Sequence, residues 1–190
     1  MSTAQHYGLY SHGFRLSTHE TYARMRKETP VHRQPGLDGE TPIWFVTRYD
    51  DVVALLTDNE RFVVDPELAL TRSSRTITRW AAVDVELGGD SIRRGDLVIA
   101  VIGSANRDAS QFADPDILDL RREEGKHVGF GRGPHFCLGA ALARLETEIA
   151  LETPLEGLLN LRLAIAEEDL YWLPIPIFRS LESLPVAWDA

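Results

Sequence analysis

Residues 129–151 read GFGRGPHFCLGAALARLETEIAL, and no other stretch limits the fold of this chain so tightly. A glycine-dense, irregular segment runs straight into an apolar pattern of helical period, and the one cysteine of the chain, Cys137, stands at the junction. Leu138, Leu142, Leu145 and Ile149 share a face, which predicts a helix from Leu138 to about Thr153, closed by Pro154. Ahead of it, residues 109–136 hold no sustained period. That is a long loop for a compact domain, and loops of such length usually carry function.

Upstream the pattern alternates between helix and strand. THETYARMRKE (18–28) predicts a helix with Thr18 as its cap, Tyr22 and Met25 on one face, and Pro30 as its stop. PVHRQ and PIWFVTR flank the Gly/Asp turn at 36–40 and predict a β-hairpin. YDDVVALLTDNE (49–60) predicts a short helix capped by Asp50 or Asp51, with Val52, Leu55 and Leu56 facing inward. Residues 66–79 crowd Ser, Thr and Arg together and suggest either a solvated loop or a seam. Residues 78–108 predict short strands around GGD and RRGD turns, and the tail ending at 181–188 a few more. There is no internal repeat, and the class expected is α+β with strands clustered in the middle.

Charge and length exclude several functions. With 190 residues the chain suffices for one domain with a core or two very small ones. A net charge of −9 argues against nucleic acid as a partner, because phosphate binding needs surplus Lys and Arg. The first residues lack the basic and apolar regions of a secretory signal. The apolar run at 97–102 is far too short to span a membrane, so no membrane partner is expected. A lone cysteine rules out an internal disulfide framework and suits a reducing cytoplasm.

Four chemistries are open to Cys137. It could be a small buried core residue. Zinc would need four ligands at recurrent spacing, and His135 with Cys137 supplies two, with no C-x-x-C pair anywhere. A nucleophile would need a partnered base, for which His127 and His135 are near only in sequence. The glycines at 129, 131 and 133 miss the dinucleotide spacing, and no Lys-Ser/Thr pair completes a phosphate loop. The fourth chemistry is a thiolate ligand to haem iron. A cysteine just before a helix faces unpaired N–H groups and the positive dipole end, which favour thiolate. Glycines there let the backbone pass close to a flat macrocycle.

The residues Phe130-x-x-Gly133-x-His135-x-Cys137-x-Gly139 match the haem-binding signature F-x-x-G-x-H/R-x-C-x-G, and with it the chain resembles the cytochrome P-450 family. Residues 78–116 look like the strand region and meander preceding that signature in soluble bacterial members, and residues 41–66 resemble their opening strands and short helix. The resemblance implies haem b (iron protoporphyrin IX) on Cys137, with Phe130, Gly131, Gly133 and Gly139 around it. It also implies Arg79 and His135 at the haem propionates. It further implies monooxygenation of a small organic substrate, with electrons from a ferredoxin docking near Arg121, Arg122, Lys126 and Arg132.

The chain also departs from the family pattern. Members are much longer, and the middle block is missing here. With it go the A/G-G-x-D/E-T motif of the distal helix and the E-x-x-R pair that braces the meander, since no glutamate has an arginine three residues later. The expected organisation is therefore an internally shortened P-450-like fragment: N-terminal strands and short helices over 1–70, a seam at 71–78, and strands, meander, haem loop and helix over 79–190. Together these would form one structural unit with a small β-sheet and most of the helical bundle absent. Without that bundle, the Leu138–Ile149 face is expected to lie open, with self-association or a loose state as the consequence. Two further readings are a haem-binding module without turnover or with peroxide-driven oxidation alone, and a remnant without haem.

Overall fold

Two apolar runs, Ile43–Val46 and Leu97–Val101, form the centre of the fold because they are buried on both sides. In the computed structural model, which describes residues 7–11, 13–14, 17–64, 77–123, 125–173 and 180–189, these runs lie in adjacent strands. Strand β2 (Pro42–Val46) pairs in parallel with β7 (Leu97–Ala100), from Ile43 opposite Leu97 to Val46 opposite Ala100. Alternation along each strand sends Trp44, Val46, Val98 and Ala100 to one core and Phe45, Ile99 and Val101 to another.

The five-stranded sheet has the order β1-β2-β7-β4-β3. β1 (Val31–Pro35) joins β2 through the expected hairpin, where Asp38 Oδ1 accepts the N–H groups of Glu40 and Thr41. β4 (Thr78–Ala81) runs antiparallel to β7, and the two-residue β3 (Phe62–Val63) antiparallel to β4. β5 (Val85–Leu87) and β6 (Asp90–Ile92) form a separate hairpin over the predicted GGD turn.

Helix α1 spans Thr18–Glu28, with Met25 fully buried beside Phe14 and Tyr7. Thr18 is the first residue of the helix and not its cap, a position held by Ser17; the Thr18 hydroxyl donates backward to Phe14 O at 2.9 Å. Helix α2 runs Tyr49–Thr57, shorter than the sequence pattern suggested, and buries Val52, Leu55 and Leu56 as expected. Asp50 and Asp51 sit inside its first turn, so neither caps it. The cap comes from a distant carboxylate, Asp108 Oδ2, which accepts Tyr49 N–H at 2.9 Å. A further single turn, α3 (Ile102–Ala105), follows β7; one turn is too short to show a period.

Burial alone would raise the Asp108 carboxyl, but hydrogen bonds from the N–H groups of Tyr49 and Ser110 hold it below the ordinary carboxylate range. A native pKa below the unfolded one stabilises the fold fully above the ordinary Asp value, and this contribution is lost as pH falls from there through the lowered native pKa. Asp108→Ala should cost about 1 kcal/mol at neutral pH. Urea unfolding followed across the acid range should show the gap to the parent closing toward low pH; a pH-independent gap would contradict the cap.

The chain divides into two compact units, Met1–Phe136 and Cys137–Ala190, so the boundary falls inside the signature. In the second unit, α4 spans Ala140–Gly157, followed by β8 (Leu159–Leu163) paired antiparallel with β9 (Val186–Asp189). Asp189 ties this pair together, accepting from Asn160 Nδ2 at 2.7 Å and Arg162 Nη1 at 3.0 Å. Pro154 does not close α4, which continues three residues beyond it. A proline there removes one donor to Ala150 O, a loss that costs less because Ala150 is exposed. The Leu138, Leu142, Leu145 and Ile149 face is exposed, as the shortened pattern implied. Of the seam expected at 71–78, residues 71–76 lie outside the described residues.

Candidate functional site

The signature begins in a loop with almost no regular structure, and its shape comes from what it rests on. Between α3 and a single 3₁₀ turn at Gly133–His135 there is no helix or strand among the described residues. Arg122 gathers the carbonyls of Ala113, Asp114 and Ile117, and Arg107 pairs with Asp116. Asn106 Oδ1 accepts Val128 N–H at 2.8 Å, and Val128 is fully buried in the first core. Tyr49, buried at the start of α2, donates its hydroxyl proton to Lys126 O at 2.7 Å and accepts from Arg132 Nη1 at 3.1 Å. The supports from Asn106 and Tyr49 were not legible in the sequence, because they lie 22 to 83 residues from the loop positions they hold.

Gly131 and Gly133 both have positive φ, 76° and 74°. A Cβ on Gly133 would stand 3.0 Å from Leu56 O and 3.2 Å from Thr57 Cα, so this glycine seats the loop against the C-terminal end of α2. For Gly133 the neighbouring helix backbone is by itself a sufficient reason for glycine, without a macrocycle close by. Phe130 is half-buried, its ring 6.4 Å from that of Phe136 in an edge-to-face pair. His135 is exposed.

Cys137 opens the second unit, two residues before Gly139, the N-cap of α4. Its thiol is exposed, which excludes the buried-core alternative. No group of three or more His, Cys, Asp or Glu side chains able to hold a metal ion forms among the described residues, so the zinc alternative lacks its ligands. A Cβ on Gly139 would meet only Cys137 Sγ, at 3.9 Å.

Arg79 lies on β4 and is 5% exposed. Nη1 donates to Thr78 O at 3.0 Å, while Nε is buried with no hydrogen-bond partner among the described residues. Burial pulls the Arg79 pKa down from its ordinary value, yet a guanidinium keeps its charge in proteins. A buried cation with an unused N–H suits an anionic group supplied from outside the chain. Each unit by itself offers one donor type that an iron porphyrin with carboxylate side arms requires: the second an exposed thiol before a helix, the first this unsatisfied arginine.

The four cations expected to receive a redox partner are not equivalent. Arg121 and Lys126 are exposed, whereas the Arg122 guanidinium is spent on loop carbonyls and Arg132 reaches Tyr49. Among the described residues no helix is long and apolar enough to cross a membrane.

The sequence pattern of the family described as Cytochrome P450 matches residues 68–158, which include the signature. The polyketide biosynthesis cytochrome P450 PksS of Bacillus subtilis (strain 168) is 48% identical over 109 residues, 57% of this chain and 27% of that protein. Nocardicin C N-oxygenase of Nocardia uniformis subsp. tsuyamanensis is 44% identical over 140 residues, 71% of this chain and 35% of its own length. The chain thus spans about a third or less of the curated relatives it matches. The solved structure of the mixed-function P450 MycG superposes on 58% of this chain and 28% of its own, with a TM-score of 0.54 at 46% identity. A solved structure of PksS from Bacillus subtilis 168 shares the fold, with a TM-score of 0.81 at 19% identity, covering 96% of this chain and 99% of that one. In its signature and over the matched segment, residues 68–158, the chain is similar to the cytochrome P450 family, and its fold is that of a solved P450 structure.

Proposed function

We propose that this chain binds haem b through the Cys137 thiolate and acts as a haem-thiolate oxidoreductase whose reaction is monooxygenation of a small organic substrate. The observation that carries this reading is the signature from Phe130 to Gly139, lying inside the matched segment and running into α4 with its thiol exposed. In this reading Cys137, two residues before the N-cap of α4, is the iron ligand and binds as its thiolate. Arg79 and His135 meet the propionates, and the unused Arg79 Nε supports that role. Phe130 shields the sulfur, Gly131 and Gly139 keep side chains out of the cofactor's way, and Gly133 seats the loop on α2. When bound, the haem supplies the redox chemistry of dioxygen activation, which no protein side chain can provide.

Electrons would arrive from a ferredoxin-type protein, and exposed Arg121 and Lys126 are the cations free to steer it. The chain's own acid–alcohol pairs are Glu20–Thr21, Glu28–Thr29, Glu40–Thr41, Glu146–Thr147 and Glu152–Thr153, and none follows the family's small-residue prelude. This favours a second reading, in which oxidation is driven by peroxide alone, because peroxide brings both oxygen and electrons. Turnover with the haem-loaded chain separates the two. Product formed with dioxygen and a reduced ferredoxin supports monooxygenation, product formed only with peroxide supports the second reading, and haem binding without either product overturns both. A cytoplasmic location belongs to the same proposal.

A further inference from the structure

We infer that Tyr49 is the positioning residue of the signature loop, setting through its hydroxyl the path of the backbone that delivers Cys137 to the iron. This rests on the haem-thiolate reading above. One oxygen atom fixes both ends of the span from Lys126 to Arg132: it donates to Lys126 O at 2.7 Å and accepts from Arg132 Nη1 at 3.1 Å. The middle of that span is pinned separately, by Asn106 Oδ1 on Val128 N–H, and the turn that follows is closed by Gly131 N–H on Val128 O at 2.9 Å.

Tyr49 can serve as an anchor because it is itself fixed at every group. Its N–H is bound by Asp108, its ring stands edge-to-face on Phe112 at 5.8 Å, and the residue is 5% exposed. At the other end of the same helix, Leu56 O and Thr57 Cα form the surface on which Gly133 sits. Helix α2 therefore grips the loop at both its ends, and the hydroxyl is the one polar part of that grip that a single-atom change removes. Cys137 follows Arg132 by five residues, so a loop released from Tyr49 loses the constraint on where its ligand begins.

Tyr49→Phe keeps the ring on Phe112 and deletes only the oxygen. Hydrogen exchange on the haem-free protein should rise about tenfold across residues 126–136, the effect of losing a hydrogen bond, with the β2, β7 and α2 amides unchanged. After haem loading, the variant should show a smaller fraction of the red-shifted carbon-monoxide band of thiolate ligation than the parent, at an unchanged unfolding midpoint. Unchanged exchange in the loop overturns the inference. A uniform rise over sheet and helix overturns it too, since that would mark a general loss of stability. Should the parent itself take up no haem, the haem-thiolate reading fails, while the exchange arm still decides whether the hydroxyl holds the loop.

Discussion

Cys137→Ser is expected to abolish the thiolate signature of the haem-loaded protein completely while leaving its fold intact. The thiol is exposed and makes no core contact to lose, so replacing sulfur by oxygen should change stability by less than about 0.5 kcal/mol. Ligation is another matter. A serine hydroxyl is not an anion at neutral pH, so it cannot replace the charge that the iron favours. Even outer partners of a metal ligand are worth roughly 10–100-fold in affinity, so loss of the ligand itself should exceed that. Haem titration by absorbance, beside urea unfolding of the apoprotein, measures the two halves of this expectation. Equal haem affinity and an identical spectrum in the variant would remove Cys137 from the site.

Gly133→Ala should produce the second large effect, and for a different reason. At φ 74° an alanine enters the left-handed region, which costs about 1–2 kcal/mol. Its Cβ would also meet Leu56 O at 3.0 Å and Thr57 Cα at 3.2 Å, both main-chain atoms of α2 that cannot swing aside. The sum should reach roughly 2–4 kcal/mol in apoprotein stability, read from the urea midpoint, with loss of haem uptake as the loop lifts off α2. Gly139→Ala supplies the contrast within the same signature. Its φ of −82° suits any residue, and the new methyl would enter only the space beside Cys137 Sγ. It should cost about 0.5 kcal/mol as a poorer cap yet weaken haem binding sharply. If Gly139→Ala loads haem as the parent does, the space beside the sulfur is not the cofactor's.

This contrast also marks the limit of what the chain disclosed before it was seen folded. Local rules found α1 to the residue, the hairpin of β1 and β2 and the inward face of α2; of the strands expected over 78–108 they found those up to Ala100, while Ile102–Ala105 is a helical turn. They failed where a distant residue decides. Asp108, not Asp50 or Asp51, caps α2, and nothing near residue 49 in sequence reveals it. Pro154 reads as a helix stop, but α4 is exposed there, so losing the bond the ring forbids costs less.

The site divides in the same way. Its chemical groups were legible as a spaced signature: Cys137, His135, Phe130 and the glycines. Arg79 was named only through the resemblance, and its buried, half-used guanidinium became visible in three dimensions. The supports of the loop, Tyr49 and Asn106, carry no local mark at all. A tyrosine at the start of a helix and an asparagine at the end of a single turn look ordinary until the loop is seen resting on them.

The most direct measurement is the spectrum of the parent chain loaded with haem, reduced and saturated with carbon monoxide. A Soret band shifted strongly to the red, the mark of thiolate ligation, is the predicted result. A band at the position given by nitrogen or neutral ligands, or no retained haem, would contradict it.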